Sequence, residues 1–425
     1  MINNLFNSNI LIDADEQITN LTAKKISHLC KIIGSGTTPD KNDARNFTKG
    51  NIPWILSGDL NDGIIEKPNS YVTQYALDNN PSLKIYPRNS IIIAMYGATI
   101  GRVSIPKFSF TVNQACCVLS PFNKCELKYL FYCLIGLRHV LFSMAIGGAQ
   151  PNINQELIKS LKILLPSNYE QKKIYKFLDQ EIIKINLAIQ NQYNLITLLD
   201  EKKQALVLDA ITKGLDKEVS MKNSKLFLLG KIPNHWQSKK LSQLFKTSKG
   251  KNSQKLTKEY CSKNEGDYPV YSGQTQSDGI MAYINTFEFD AGEKGVILTT
   301  TVGAKAMSVK LIKGRFNLSQ NCMVISAKDN SCHTAYFEYC FSSIFKIEKN
   351  KIPIHMQPSF RKEDFQKIRI PIPPIKEQIQ ISNFLHKEVE KIKQMNESSK
   401  LLISKLIDKR FALISFATSN QIDLS

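Results

Sequence analysis

The sequence predicts a mixed α/β (α+β) fold in which two similar modules alternate with two long helices. The helices are expected to pair as an antiparallel coiled coil with an internal pseudo-two-fold. Three observations predict this fold. The second half of the 425-residue chain repeats the first half. A heptad pattern of apolar residues follows each module. Within the modules, short apolar runs alternate with glycine and proline turn signals.

The internal repeat is read directly from residue spacing. Cys125 and Cys133 recur 207 residues later as Cys332 and Cys340, and the match continues without a gap to Ala417. Nearer the start of each copy the offset varies between 206 and 215, so loop lengths differ there. The two copies differ in their N-terminal parts and agree in their C-terminal parts. This pattern indicates a duplication in which one common framework carries two different surfaces.

Each copy contains a module followed by a long helix. Within the modules we expect strands at Ser90–Met95 and Val296–Thr301, closing helices at Leu127–Ser143 and Ala335–Phe345, and extended pieces at Leu161–Pro166 and Ile368–Pro374.

The helical segments that follow show a heptad seam, with steps of three and four residues. Such a helix could pack on its own module, but two matched seams in one chain favour pairing of the two helices. Polar residues interrupt the seams and are expected to fix the register or to contact another subunit. The candidate subunit-interface residues are Gln192, Lys203, Ser399 and Arg410.

Charge predicts the class of partner. The chain has 56 Lys and Arg against 37 Asp and Glu, a formal net charge of +19. A folded protein this basic is expected to bind a polyanion, first nucleic acid and second a membrane surface. Two modules held at opposite ends of an antiparallel rod would meet two unequal half-sites of duplex DNA, with the rod setting the spacer.

Several other classes are not supported by the sequence. The start shows no secretory signal and no segment has the apolar length of a membrane span, so a cytoplasmic protein is expected. The nine cysteines are expected to be buried free thiols without a metal role. The chain shows no phosphate-binding loop, dinucleotide fingerprint, methyltransferase tetrad or zinc-hydrolase motif, so no catalytic residue and no enzymatic activity are expected.

Four motifs stand out in the two copies. They are Gly230–Trp236, which opens the second copy, the Gly34–Pro39 loop of the first copy, the glutamine-containing turns at 148–153 and 355–360, and a doubled Pro-x-x-x-Glu-Gln-x-x-Ile-x-x-Phe-Leu from Pro166 and Pro373. With these motifs the chain resembles one known family, the specificity subunit of type I restriction-modification enzymes. The doubled motif is the most specific. The first copy lacks the Gly-x-Ile-Pro-x-x-Trp motif and has Ile18–Lys25 in its place.

The resemblance implies a non-catalytic subunit that binds a bipartite, asymmetric double-stranded DNA target through two target-recognition domains. It implies two modification subunits and two restriction subunits as partners. S-adenosylmethionine, ATP and Mg²⁺ would be used by those partners, and this chain would hold no cofactor. The expected domains are target-recognition domains at 1–165 and 216–372, each followed by a long conserved helix at 166–215 and 373–425.

DNA contacts require side chains that reach base edges or phosphates. The candidates in the first module are Ser35, Gly36, Thr37, Thr38, Tyr96, Arg102 and Gln114. The candidates in the second module are Lys249, Lys251, Ser272, Gln274, Lys305 and Gln320. The glycine loop at 35–38 is interpreted as allowing the backbone to approach a phosphate, with an ordinary tight turn as the alternative.

A second function stays open at this point: a stand-alone DNA-binding protein, or a silent specificity cassette without partner subunits. Co-purification distinguishes the two, since a lone, site-specific monomer would exclude the multisubunit interpretation.

Overall fold

The protein divides into two compact units. A computed structural model describes residues 23–122, 124–145, 152–224, 230–273, 277–303, 305–353 and 355–419. Unit 1 contains Met1–Gln192 and Leu401–Ser425, and unit 2 contains Tyr193–Lys400. The division falls inside both long helices, whereas the expected domain boundaries lie at the helix ends. Those boundaries therefore stay a prediction.

Unit 1 contains a module of short strands and helices. Its strands are β1 (Ala23–Lys25), β2 (Cys30–Ser35), β3 (Ile52–Ile55), β4 (Gly63–Ile65), β5 (Ser70–Val72), β6 (Ile91–Ala94), β7 (Val103–Pro106), β8 (Thr111–Val112), β9 (Cys116–Pro121) and β10 (Lys162–Leu164). Its helices are α1 (Gln74–Asp78), α2 (Leu127–Gly136), α3 (Arg138–Ser143) and α4 (Gln155–Ser160). The long helix α5 (Asn168–Lys213) starts in unit 1 and ends in unit 2.

The strands of unit 1 form two main sheets. One has the order β2-β9-β6-β7-β4 and the other the order β5-β3-β8, in which β3 and β8 run parallel. A separate antiparallel pair, β1 with β10, closes the module next to the start of α5. The apolar β6, predicted as a strand at Ser90–Met95, lies fully buried in the first sheet because both of its faces are covered.

Unit 2 repeats this plan with its own loops. Its strands are β11 (Met221–Asn223), β12 (Lys231–Pro233), β13 (Gln237–Lys240), β14 (Phe245–Ser248), β15 (Glu265–Tyr271), β16 (Ile280–Ile284), β17 (Phe289–Asp290), β18 (Val296–Thr300), β19 (Val309–Ile312), β20 (Arg315–Leu318), β21 (Cys322–Ala327) and β22 (Arg369–Ile372). Its helices are α6 (Leu241–Leu244), α7 (Lys258–Lys263), α8 (Thr334–Asn350), α9 (Lys362–Lys367) and the long α10 (Ile375–Thr418), which ends in unit 1.

The sheets of unit 2 have the orders β14-β21-β18-β19 and β16-β15-β20-β17, and β13 pairs with β22. The parallel pair recurs as β15 with β20. The strand orders β2-β9-β6-β7 and β5-β3-β8 of unit 1 recur as β14-β21-β18-β19 and β16-β15-β20, so the duplication read from the sequence is present in the fold, while the β11–β12 pair occurs in unit 2 alone among the described strands.

One predicted helix is interrupted. The sequence predicted a single helix over Leu127–Ser143, whereas α2 ends at Gly136 and α3 begins at Arg138. Gly136 packs against α10, where an added Cβ would lie 3.0 Å from the Thr418 hydroxyl. Arg138 turns toward Asp62, and its Nη1 donates to Asp62 Oδ2 at 2.9 Å. The corresponding α8 of unit 2 is continuous over seventeen residues.

The two long helices pair in an antiparallel manner within each unit. In unit 1, Arg410 Nη1 donates to Asn186 Oδ1 at 2.8 Å, and Leu178 shares a core with Ala417. Along α10 the residue numbers therefore rise where those of α5 fall. The predicted coiled-coil pairing is confirmed in this unit.

Unit 2 shows the same pairing. Asn396 Nδ2 donates to Asp200 Oδ1 at 3.1 Å, while Val207 and Val389 lie in one apolar cluster. The predicted seam positions are buried or half-buried on both helices, with the exception of Lys203, which is exposed.

The doubled Glu-Gln motif has a structural explanation. Gln171 is fully buried in unit 1, where its Oε1 accepts from the Glu126 N–H at 2.8 Å. Its Nε2 donates to the carbonyl oxygens of Lys124 and Pro166, at 3.1 and 2.9 Å. The glutamine thus fastens the first turn of the long helix to the loop before α2.

Unit 2 repeats this clamp. Gln378 Oε1 accepts from the His333 N–H at 2.8 Å, and its Nε2 donates to the carbonyl oxygens of Ser331 and Pro373, at 3.0 and 2.9 Å. Every partner lies 207 residues beyond its counterpart in unit 1. A single buried amide that satisfies three backbone groups explains why this dipeptide occurs twice.

All nine cysteines are free and buried. Burial raises the pKa of Cys30 and of Cys117 to about 12. Within the described ranges, no helix combines the length and apolarity that crossing a membrane requires.

Candidate nucleic-acid interface

The candidate site of unit 1 is assembled around one turn between β8 and β9, residues 113–115, here called the Gln114 turn. Thr38 Oγ1 donates to Gln114 Oε1 at 2.6 Å. Ser35, at the end of β2, donates from Oγ to the Cys116 carbonyl oxygen at 2.6 Å. Ser35 and Thr38 are therefore brought to the Gln114 turn, although they precede Gln114 by 79 and 76 residues in the sequence.

The other candidates of unit 1 border the same turn. The Met95 N–H donates to the Ala115 carbonyl oxygen at 2.8 Å, which places the next residue, Tyr96, beside the turn. Tyr96 is 44 % exposed and forms a backbone bridge with Asn152. Arg102 is exposed, and its carbonyl oxygen accepts from Ala94 N–H in the same strand pair.

Gly36 makes a close backbone approach within the protein itself, and its contact with DNA stays a prediction. A Cβ at Gly36 would lie 1.7 Å from the carbonyl oxygen of Val112, at the start of the Gln114 turn. The close approach that requires glycine is thus to the protein's own backbone, and the interpretation of Gly36 as a phosphate-approach residue loses this reason. Thr37 is half-buried in the same loop.

Unit 2 has the corresponding turn at residues 319–321, here called the Gln320 turn. Gly250 packs against the carbonyl oxygen of Leu318, as Gly36 packs against that of Val112. A Cβ added at Gly250 would lie 2.7 Å from the Leu318 carbonyl oxygen. The flanking Lys249 and Lys251 are exposed. The loop on which they lie is therefore packed against the base of the Gln320 turn.

The remaining candidates of unit 2 fall into three groups. Gln320 is exposed at the tip of the turn, and Lys305 is exposed in the segment after β18. That segment is joined to the turn because Thr301 N–H donates to the Asn321 carbonyl oxygen at 2.7 Å. Ser272 is buried, only 9 % exposed, which leaves little of its side chain for a ligand to touch. Gln274 lies outside the described residues.

The same backbone contacts surround both turns. In unit 1, Tyr96 bridges to Asn152; in unit 2, Val302 bridges to Ser359. The side chains displayed on this shared frame differ, because the loops differ in length and sequence. Two related but non-identical polar surfaces result.

The four candidate subunit-interface residues differ in their exposure and in their contacts. Ser399 is buried, 5 % exposed, and Arg410 contacts Asn186, so both act inside the helix pair and favour the register interpretation. Gln192 is half-buried at its seam position. Lys203 is exposed and lines a groove of about 560 Å³ in unit 2 together with Tyr339 of α8.

Sequence reasoning missed two contacts that shape these surfaces. Glu288 Oε1 accepts from the Lys251 N–H at 2.6 Å and thereby holds the loop beside the Gln320 turn. In unit 1 Arg138 forms a largely enclosed ion pair with Asp62, whose side chains are 17 % and 19 % exposed. No local pattern indicates either contact, since the partners are 37 and 76 residues apart.

Metal ligation is not indicated by the described ranges, where no cluster of three or more His, Cys, Asp or Glu side chains could hold an ion. The candidate side chains on the two turns and beside them carry hydroxyl, amide, guanidinium and ammonium groups. These groups suit hydrogen bonding to bases and phosphates.

Comparison with known proteins gives the family. A family model described as the type I restriction modification DNA specificity domain matches residues 19–197 and again 233–402. The EcoR124I/EcoR124II specificity subunit of Escherichia coli is 29 % identical over 163 residues, 37 % of this chain and 40 % of that protein. The MjaIX specificity subunit of Methanocaldococcus jannaschii is 28 % identical over 244 residues, 54 % of this chain and 52 % of that protein.

The aligned segments thus span about half or less of these two relatives' own length. A chain from a structural study of complex assembly and conformational transition in the type I R-M system has the same fold, with a TM-score of 0.72 at 14 % identity. The structural alignment covers 96 % of this chain and 100 % of that chain. Because the family model matches twice and over most of the residues, this chain belongs to the type I restriction modification DNA specificity domain family.

Proposed function

We propose that this chain is the DNA-recognition subunit of a type I restriction-modification system and binds a bipartite, asymmetric duplex target. The observation that carries the proposal is the repeated frame with unequal turns. The Gln114 turn and the Gln320 turn occupy equivalent places in two matched units, yet different loops surround them. Two unequal recognition surfaces imply two unequal half-sites.

Charge supports the choice of DNA as the ligand. The net charge of +19 provides the phosphate attraction that a DNA-binding protein needs. The exposed side chains beside the turns, which include Arg102, Lys249 and Lys305, add cations where the candidate base-reading groups lie. Phosphate contacts would then hold the duplex, while the turns discriminate sequence.

The partner proposal concerns the long helices. We infer that two modification subunits and two restriction subunits join this chain and that catalysis belongs to them. S-adenosylmethionine, ATP and Mg²⁺ would be bound by those subunits, and the complex would work in the cytoplasm. Support comes from large apolar side chains left open on α5, where Leu187 in unit 1 and Leu198 in unit 2 are 60 % and 61 % exposed. Leu187 and Ile183, which lies one helical turn before it and is 67 % exposed, form an adjacent apolar pair, and exposed apolar patches are typical of protein–protein contacts.

Co-expression tests this function directly. The chain is produced together with a type I modification subunit from its own organism in a host that lacks adenine methylation, and the host genome is then sequenced for methylated adenine. Methylation at one bipartite, asymmetric motif is the expected result. Without the chain, the same modification subunit should leave the genome unmethylated. Methylation that is absent, or that does not depend on the chain, would contradict the proposal.

A further inference from the structure

The Gln114 turn presents one exposed side-chain amide that the protein holds in a fixed orientation. The Thr38 hydroxyl donates to Gln114 Oε1 at 2.6 Å. The loop that carries Thr38 is itself fixed, because the buried Tyr86 donates its hydroxyl to the Ser35 carbonyl oxygen at 2.6 Å. Ser35 in turn donates to the Cys116 carbonyl oxygen at 2.6 Å, on the other side of the turn. Hydrogen bonds therefore surround Gln114 on two sides.

This arrangement decides which hydrogen bonds the amide can still make. An amide oxygen has two lone pairs, of which Thr38 uses one, and both N–H groups of the amide nitrogen stay available. One acceptor and one donor side by side match the major-groove edge of adenine, which offers a donor at N6 and an acceptor at N7. Guanine offers two acceptors on this edge and cytosine a single donor, so neither matches both groups.

We propose that Gln114 reads an adenine of the half-site bound by unit 1 and that Thr38 is the positioning residue that fixes its amide. The inference rests on the proposed function, because it assumes that this turn faces the major groove of a DNA target. A side chain already held in its bound orientation loses less conformational entropy on binding, so discrimination at this base pair is expected to be strong.

Unit 2 provides an internal comparison. Gln320 occupies the equivalent position and is also exposed, but within the described residues its side chain has no hydrogen bond. The loop beside it is tied to Glu288 through the Lys251 N–H and has no hydroxyl at the place of Thr38. No hydrogen bond among the described residues fixes the Gln320 side chain, so the matched substitution there is a suitable control.

The experiment measures the binding of full-length protein to duplexes that carry the bipartite target defined by methylation sequencing. Each base pair of both half-sites is replaced in turn, and competition against the labelled target gives a preference profile. Gln114→Ala should lower discrimination at one A·T pair by roughly 5- to 150-fold, the range of a bidentate contact. Gln320→Ala should change the profile less, and at a pair in the other half-site.

Three further variants test the chemistry and the positioning role. Gln114→Glu replaces the donor by an acceptor and should move the preference at that pair toward C·G, because a carboxylate accepts from cytosine N4. Thr38→Val should weaken discrimination at the same pair as Gln114→Ala, and Thr38→Ser, which keeps the hydroxyl, should restore it. The salt dependence of binding should stay unchanged in the uncharged variants Gln114→Ala, Thr38→Val and Thr38→Ser, since under this proposal neither residue contacts a phosphate.

The outcomes separate the inference from the function on which it rests. Wild-type protein without preference for any bipartite sequence would overturn the proposed function. Specific wild-type binding combined with an unchanged profile in Gln114→Ala would overturn the inference alone. A uniform loss of affinity across all duplexes, with a shallower salt dependence, would also overturn it, because that result identifies a phosphate contact.

Discussion

The buried glutamine clamp gives the sharpest prediction for stability, and Gln378→Ala is the perturbation that tests it. Gln378 is 1 % exposed and bonds three backbone groups, which belong to Ser331, His333 and Pro373. Alanine keeps the helix propensity of the first turn but removes all three hydrogen bonds. The three backbone groups then stay buried without a hydrogen-bond partner.

The expected cost follows from these three bonds. At about 1 kcal/mol net for each buried hydrogen bond, the free energy of unfolding of unit 2 should fall by about 3 kcal/mol. With a urea dependence of about 2 kcal/mol per molar, the unfolding midpoint should fall by about 1.5 M.

Trp236 provides the assay. It is fully buried in unit 2, and its Nε1 donates to Glu377 Oε2 at 2.9 Å, next to the clamp. The chain contains two tryptophans, so a Trp54→Phe background leaves Trp236 as the only one. Its fluorescence during urea unfolding then reports unit 2 alone. Gln394→Ala, at an exposed position of the same helix, is the matched control and should move the midpoint little.

The reasoning fails if Gln378→Ala and Gln394→Ala shift the midpoint equally. Because the clamp is duplicated, Gln171→Ala should destabilise unit 1 by a similar amount, reported by Trp54 in a Trp236→Phe background. A large loss in one unit and none in the other would show that the two clamps are not equivalent.

Three further predictions concern ion pairing, protonation and thiol reactivity. Arg138→Ala leaves the Asp62 carboxylate enclosed without its partner, so we expect the free energy of unfolding of unit 1 to fall by about 3–5 kcal/mol in urea unfolding. Replacement of both residues by apolar ones should cost less. Burial lowers the pKa of His333, so the unfolded state takes up a proton at a higher pH than the folded state does. The stability of unit 2 should therefore fall as the pH drops below about 6.5, and His333→Gln should make this dependence on pH weaker. With pKa values near 12, Cys30 and Cys117 should resist iodoacetamide at pH 8 until urea unfolds the chain.

Each of these predictions can fail clearly. Equal stability of wild type and Arg138→Ala would show that the ion pair contributes nothing measurable. An unchanged pH slope in His333→Gln would assign the acid sensitivity to other groups. Rapid alkylation of native protein at either thiol, detected by peptide mass spectrometry, would show that the sheet opens locally.

The repetitive features of the fold could be predicted from the sequence. Duplication appears as a constant offset, and helix pairing appears as a heptad period, so both are recorded in residue spacing alone. The structure confirms the paired helices, with Arg410 and Asn186 in contact across the seam. The single helix predicted over Leu127–Ser143 was wrong, because the helix is interrupted at Leu137, between α2 and α3. Gly136, beside the break, packs against α10, a contact between segments far apart in the sequence.

The candidate site was predictable only as a set of residue types. Exposed Lys, Arg, Gln and hydroxyl residues near glycines indicated where a polar ligand could bind, but their grouping required the tertiary structure. Gly36 illustrates the difference, since its sequence context suggested an approach to phosphate and the fold uses it against Val112. Ser272 was predicted as a DNA-binding candidate from its residue type, and the fold buries it.

The sequence by itself therefore determined that this protein has two related halves, two paired helices and an excess of positive charge. Only the tertiary structure decided that Thr38 meets Gln114 across 76 residues, that a buried glutamine fastens each long helix to its module, and that Arg138 reaches Asp62. The physical reason is that helix period and repeat spacing are local or additive properties of the chain. Contacts between loops depend on how several sheets and helices pack at once, and no short segment records that packing.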